Sequence, residues 1–185
     1  MNPKIKLIFL ALGLVIVIIL GVALFNTLSQ MQALPPIPQP DENTALAVDF
    51  TVEDMSGAPV TLFEQLDKPV VLNFWASWCP PCTEEMPHFQ AMYEQYGDRV
   101  NFVMVNSTDG DRETIATVKQ FLELTGYTFP VYLDTRDMQA SYTYNITGIP
   151  QTFLIDTQGR IVMHYPGSIP QEPLQHGLEF LLGLE

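Results

Sequence analysis

Residues 69–76, Pro-Val-Val-Leu-Asn-Phe-Trp-Ala, form a nearly unbroken apolar run, and a Cys-Pro-Pro-Cys turn follows at 79–82. A strand that is apolar at almost every position has no face to give to water. It belongs inside a sheet covered on both sides, and such sheets are built from alternating strands and helices. The run therefore calls for an α/β domain.

The flanking sequence supplies the other layers. VDFTVED and PVTL, separated by Ser56-Gly57, predict an opening hairpin. Met86, Phe89, Met92, Tyr93 and Tyr96 recur at helical spacing and predict a helix over 80–96, with Pro87 inside it as a packing bend. VNFVMVN (100–106) reads as a second buried strand. DRETIATVKQFLELT (111–125) reads as a helix ending at Gly126. PVYLD (130–134) predicts a short strand and 137–143 a short helix. TFLID and RIVMHYP predict a hairpin around Gln158-Gly159, and 170–183 a closing helix. The expectation is a central mixed β-sheet flanked by helices.

Ahead of this domain, Leu7–Phe25 carries no charge, and Lys4 and Lys6 precede it. Such a stretch predicts a transmembrane signal-anchor over 7–25, with 1–6 cytoplasmic. A cleaved signal peptide is the alternative, and either reading places the main domain on the extracytoplasmic side of the cell membrane. Residues 26–45, with the prolines of 35–40, predict an extended linker, and 46–185 the folded domain. All 21 acidic residues lie beyond residue 40. That charge disfavours nucleic acid as a partner. A monomer is expected.

Cys79 and Cys82 admit three uses. A zinc site needs about four ligands, and His88, His164 and His176 are the candidates to complete one. A purely structural disulfide across so short a loop would constrain the unfolded chain little. The local context favours a redox pair. Cys79 falls where a buried strand ends and a helix begins, and helix N-termini stabilise thiolates. Pro80 and Pro81 are tolerated there because first-turn N–H groups have no helical partner. Cys79 is then the exposed nucleophile, and Cys82 the resolving thiol on the next turn. Glu85, three residues after Cys82, shares its face and is a candidate proton carrier. Glu84 faces elsewhere. No cofactor or metal is called for.

WASWCPPCTEEMP (75–87) with GIPQTFLID (148–156) resembles the thioredoxin superfamily, and within it the TlpA/ResA-like membrane-anchored oxidoreductases. The resemblance runs from about residue 46 to the end. It implies a thioredoxin-like fold and activity as a thiol–disulfide oxidoreductase that reduces disulfides. The substrates implied are exported proteins, apocytochrome c being typical of the group, with electrons from a membrane thiol-reducing donor. The same cysteines serve a disulfide-forming oxidase or isomerase running in the opposite direction. A redox-inert binding or metal-delivery domain on the same scaffold is a third reading. The resemblance also marks Pro150 as a cis-proline facing the cysteines. It marks Ile149 as a source of main-chain hydrogen bonds to substrate, and Trp78, with Pro80 and Pro81, as the docking rim. Asn73 stands where classical thioredoxins carry a buried aspartate; Asn does not titrate, and Glu85 matches the glutamate proposed to replace it.

Overall fold

The computed structural model describes residues 3–32, 44–135 and 137–184. Two compact units are present, Met1–Pro36 and Ile37–Glu185.

The first unit holds α1, Pro3–Gln32. Among the described residues no helix is long and apolar enough to cross a membrane. The expected transmembrane signal-anchor over 7–25 is corrected on this ground. The single-pass membrane localisation and the membrane tether go with it. The proline stretch 35–40 of the expected linker lies outside the described residues.

The second unit is a thioredoxin-like α/β fold. Its elements in chain order are β1 (Thr51–Asp54), β2 (Pro59–Thr61), β3 (Val70–Trp75), α2 (Pro80–Tyr96), β4 (Asn101–Asn106), α3 (Ile115–Thr125), β5 (Val131–Leu133), α4 (Gln139–Thr143), β6 (Gln151–Ile155), β7 (Ile161–Pro166) and α5 (Gln171–Leu181). The strands form one mixed sheet in the order β2-β1-β5-β4-β3-β6-β7. β3, β4 and β5 are parallel, and β6 runs antiparallel to β3.

β3 explains why the domain needs two helical layers. Val71 and Trp75 join one core cluster, with Met86, Phe89 and Met92 of α2, Val118 of α3, and Leu174 and Leu178 of α5. Val70, Leu72 and Phe74 join the opposite cluster, with Phe50, Val52, Ala140 of α4 and Phe153. All six residues of β3 are buried. Asn73 is the polar exception, and the strand's two-residue alternation puts it on the α2 side with Val71 and Trp75.

One helix differs from its sequence expectation in a way that matters below. α3 starts at Ile115 rather than Asp111, because Thr114 is its N-cap. The Thr114 hydroxyl accepts from the Thr117 N–H at 3.2 Å, and the Thr117 hydroxyl accepts from the Thr114 N–H at 2.8 Å. This reciprocal pair satisfies two otherwise free donors and stops the helix there. Residues 111–113 are thereby released into a loop.

Candidate active site

Cys79 and Cys82 are joined as a disulfide, their Cα atoms 5.2 Å apart. Cys79 is the extended N-cap residue of α2, and Pro80 and Pro81 occupy the first turn. The Cys79 carbonyl accepts the first helical bond, from Thr83 N–H at 3.0 Å. Proline suits those positions because it has no N–H to leave unpaired. Cys82 is fully buried, and Cys79 is only 4% exposed. The sequence expectation of an exposed Cys79 is thus revised: the accessible rim is made by Trp78 (39% exposed), Pro80 and Pro81, with the sulfur recessed among them.

Sheet topology brings the second half of the site to the first. Phe74 of β3 pairs with Gln151 of β6 in antiparallel register. The residue just before β6 therefore lies beside the end of β3, where the cysteine turn begins. That residue is Pro150, joined to Ile149 by a cis peptide bond. The Ile149 carbonyl oxygen is 3.7 Å from Cys79 Sγ. The Pro150 carbonyl accepts from Gly167 N–H at 2.9 Å, which anchors this segment.

Beneath the disulfide, Glu85 of α2 is fully buried. One carboxylate oxygen accepts from Asn73 Nδ2 at 2.9 Å and the other from Ile169 N–H at 2.7 Å. Asn73 Nδ2 also donates to Thr152 Oγ1 at 3.0 Å, while Asn73 Oδ1 is buried with no partner among the described residues. Loss of water raises the Glu85 pKa to about 7, against the lowering effect of these hydrogen bonds. A carboxyl with that pKa exchanges protons readily at neutral pH, which an ordinary surface glutamate does not. Glu84 is exposed, as its spacing indicated.

A second buried carboxylate escaped the sequence reading. Glu113, in the loop before α3, is fully buried and reaches the turn ahead of Cys79. It accepts from Ser77 N–H at 2.5 Å, from Ser77 Oγ at 2.9 Å and from Thr117 Oγ1 at 2.6 Å. Its neighbour Arg112 lays its guanidinium 3.5 Å from the centre of the Trp78 ring. The string DRET reads as a solvated helix start; only the Thr-x-x-Thr cap hinted that the residues before it leave the helix. The histidines are engaged separately: His88 Nδ1 lies 3.2 Å from the Ile169 carbonyl, and His164 stacks on Phe153.

Residues 44–164 match the AhpC/TSA family. The chain is 33% identical to the thiol-disulfide oxidoreductase ResA of Halalkalibacterium halodurans, over 73% of this chain and 74% of that protein. It is 36% identical to ResA of Geobacillus kaustophilus, over 75% and 80%. Among solved structures, StoA from Bacillus subtilis superposes with a TM-score of 0.61 at 30% identity, covering 72% of this chain and 98% of that one. A putative thiol:disulfide interchange protein DsbE from Chlorobium tepidum gives 0.68 at 29% identity, covering 78% and 100%.

Proposed function

We propose, since this chain belongs to the AhpC/TSA family and is a thiol–disulfide oxidoreductase of the ResA kind, that it delivers electrons to disulfides in protein substrates, with Cys79 as attacker, Cys82 as resolver and Glu85 as proton acceptor. The observation that carries this is the buried Glu85, poised near neutrality one turn beyond Cys82.

In the reduced enzyme the Cys79 thiolate attacks one sulfur of the substrate disulfide, forming a mixed disulfide and releasing the other sulfur as a thiolate. Cys82 must then lose its proton to become a nucleophile. Glu85 takes that proton. The Cys82 thiolate attacks Cys79 Sγ, restores the Cys79–Cys82 disulfide and expels the second substrate thiolate. Two electrons pass from enzyme to substrate, and a dithiol donor returns them. Trp78, Pro80 and Pro81 offer the accessible rim for docking. The Ile149 main chain is available to an extended substrate strand beside Pro150.

Cys82→Ser trapping tests this reading. Removing the resolving thiol is expected to leave Cys79 covalently joined to its substrate, which mass spectrometry identifies. Capture of an apocytochrome c would assign the substrate implied by the sequence resemblance; capture of many unrelated proteins would move the function to general oxidative folding. A reduction potential near about −120 mV, the range of strong thiol oxidants, would overturn the reductase direction.

A further inference from the structure

The loop between β4 and α3 touches the redox turn at two points. Glu113 grips Ser77 through both the backbone N–H and the hydroxyl. Arg112 covers one face of Trp78. Ser77 and Trp78 are the two residues immediately before Cys79, so both of these contacts bear on the segment that presents the nucleophile.

The loop is braced to hold that position. Asp109 Oδ1 accepts from the N–H groups of Asp111 and Glu113, each at 2.9 Å. Gly110 N–H donates to the Glu113 carbonyl at 2.9 Å. Thr117, in the first turn of α3, donates to the Glu113 carboxylate from the other side. All three partners of that carboxylate are donors, the pattern an ionised acid satisfies fully. A buried, hydrogen-bonded carboxylate costs too much to be placed idly. Ser77 and Cys79 are two residues apart, at most about 7 Å along the chain. With the carboxylate held on Ser77 and Cys79 nearly buried, a charge there is close enough to act on the Cys79 sulfur.

We propose that the Asp109–Glu113 loop is a clamp on the redox turn, in which Glu113 is a positioning residue that fixes the Cys79 backbone and restrains its thiolate, and Arg112 fixes the Trp78 ring for substrate docking. The clamp rests on the redox reading of the cysteine pair. A like charge near a thiolate disfavours it. Glu113 thus opposes the helix terminus, which favours the thiolate, and keeps Cys79 from becoming a strongly acidic, oxidant-type thiol. Arg112 leaves the sulfur chemistry alone and acts through the indole, using the attraction of a cation for an aromatic face.

The two roles separate experimentally. Glu113→Gln keeps the shape and removes the charge. The Cys79 thiol, titrated by pH-dependent alkylation, is expected to fall by about one pKa unit, and the equilibrium with glutathione is expected to move toward the reduced enzyme. Arg112→Leu is expected to raise KM for a protein disulfide several-fold while leaving the rate with a small aromatic disulfide unchanged. If Glu113→Gln does not fold, Ser77→Ala, which deletes only the hydroxyl donor, is expected to slow disulfide exchange with native near-ultraviolet circular dichroism. A Glu113→Gln protein with a lowered Tm but an unaltered Cys79 titration would overturn the clamp and reduce Glu113 to a structural bond. An Arg112→Leu protein equally impaired with both substrates would overturn the docking role. Neither result touches the reductase reading, which is tested on the native protein by its reduction potential and by whether it reduces disulfides.

Discussion

Replacing Glu85 by Gln makes a sharp test of the buried acid, because the structure fixes both the sign and the size of the effect. Glu85 is fully buried, and its pKa is raised from 4.5 to about 7 by desolvation. In the unfolded chain it ionises in water near the ordinary value. Between those two pH values the folded protein binds more protons than the unfolded one, so Glu85 lowers stability as pH rises through that window. Above pH 7 the folded protein carries the full cost of a buried ionised carboxylate, about 3 kcal/mol at ~1.36 kcal/mol per pKa unit. Gln removes that cost without leaving a hole. Its carbonyl oxygen takes the Ile169 N–H, and its amide donates to Asn73 Oδ1 once that amide turns over, giving a partner to an atom that has none among the described residues. Denaturant unfolding of the oxidised protein, in which neither cysteine titrates, is the assay. At pH 4 the two proteins are expected to match within about 0.5 kcal/mol, the scatter of a neutral substitution. At pH 8 Glu85→Gln is expected to be more stable by about 2–3 kcal/mol, while its exchange rate loses the pH dependence near 7. Equal destabilisation at both pH values would refute the argument, since it would make Glu85 an ordinary structural carboxylate.

Other substitutions probe the scaffold that holds the site. Gly177 of α5 has no room for a side chain, because an added Cβ would lie 2.3 Å from Leu154 Cδ1 in the core of β6. Gly177→Ala is expected to cost about 1–3 kcal/mol, the usual range for overpacking, read as a lowered Tm. Asp134, buried just after β5, accepts from Ala140 N–H at 3.0 Å and Ser141 N–H at 2.9 Å at the start of α4. Asp134→Ala leaves both donors unpaired and is expected to cost about 2–3 kcal/mol by chemical denaturation.

Much of this was legible in the sequence, and the reason is local. A strand buried on both faces must be apolar at nearly every position, so β3 declared itself, and the helix after it followed from the spacing of Met86, Phe89, Met92 and Tyr96. The cysteine pair was legible for the same reason, since its chemistry depends on a strand end and a helix start adjacent in the chain. Glu113 was not, because hydrophobic periodicity carries no signal for a polar loop that folds back into a site. Asp-Arg-Glu-Thr looks the same whether its glutamate meets water or Ser77. Asn106-Ser107-Thr108 fits the Asn-x-Ser/Thr glycosylation pattern, but Asn106 is fully buried at the end of β4, where its side-chain amide oxygen accepts from the Thr108 hydroxyl at 2.7 Å. The apolar N-terminal run misled in the opposite sense. Composition measures how apolar a stretch is, and the span it predicted is absent from the described residues.

Why the two halves of the site meet follows from strand order rather than from any motif. Starting at β3, the chain builds the sheet in one direction through β4 to β5 by parallel crossovers, and β6 then returns to the other side of β3. In open α/β sheets such a reversal leaves a crevice beyond the carboxyl ends of the strands, free of crossing connections, where functional groups collect. Here the reversal lies between β3 and β6. The end of β3 delivers Ser77, Trp78 and Cys79 to that crevice. Because β6 is antiparallel, its beginning, not its end, delivers Ile149 and Pro150 there. The ends of the neighbouring parallel strands lie level with them: Trp75 pairs with Asn106, and Asn106 with Leu133. The loop leaving β4 therefore starts at the height of the cysteine turn, and a short return suffices to put Glu113 on Ser77. One topological fact thus places the disulfide, the proline opposite it and the clamp behind it. Glu85 is the exception: it comes from within α2 and meets Asn73 inside the sheet face, where no water reaches it. Its surroundings there, rather than the strand order, raise its pKa to about 7.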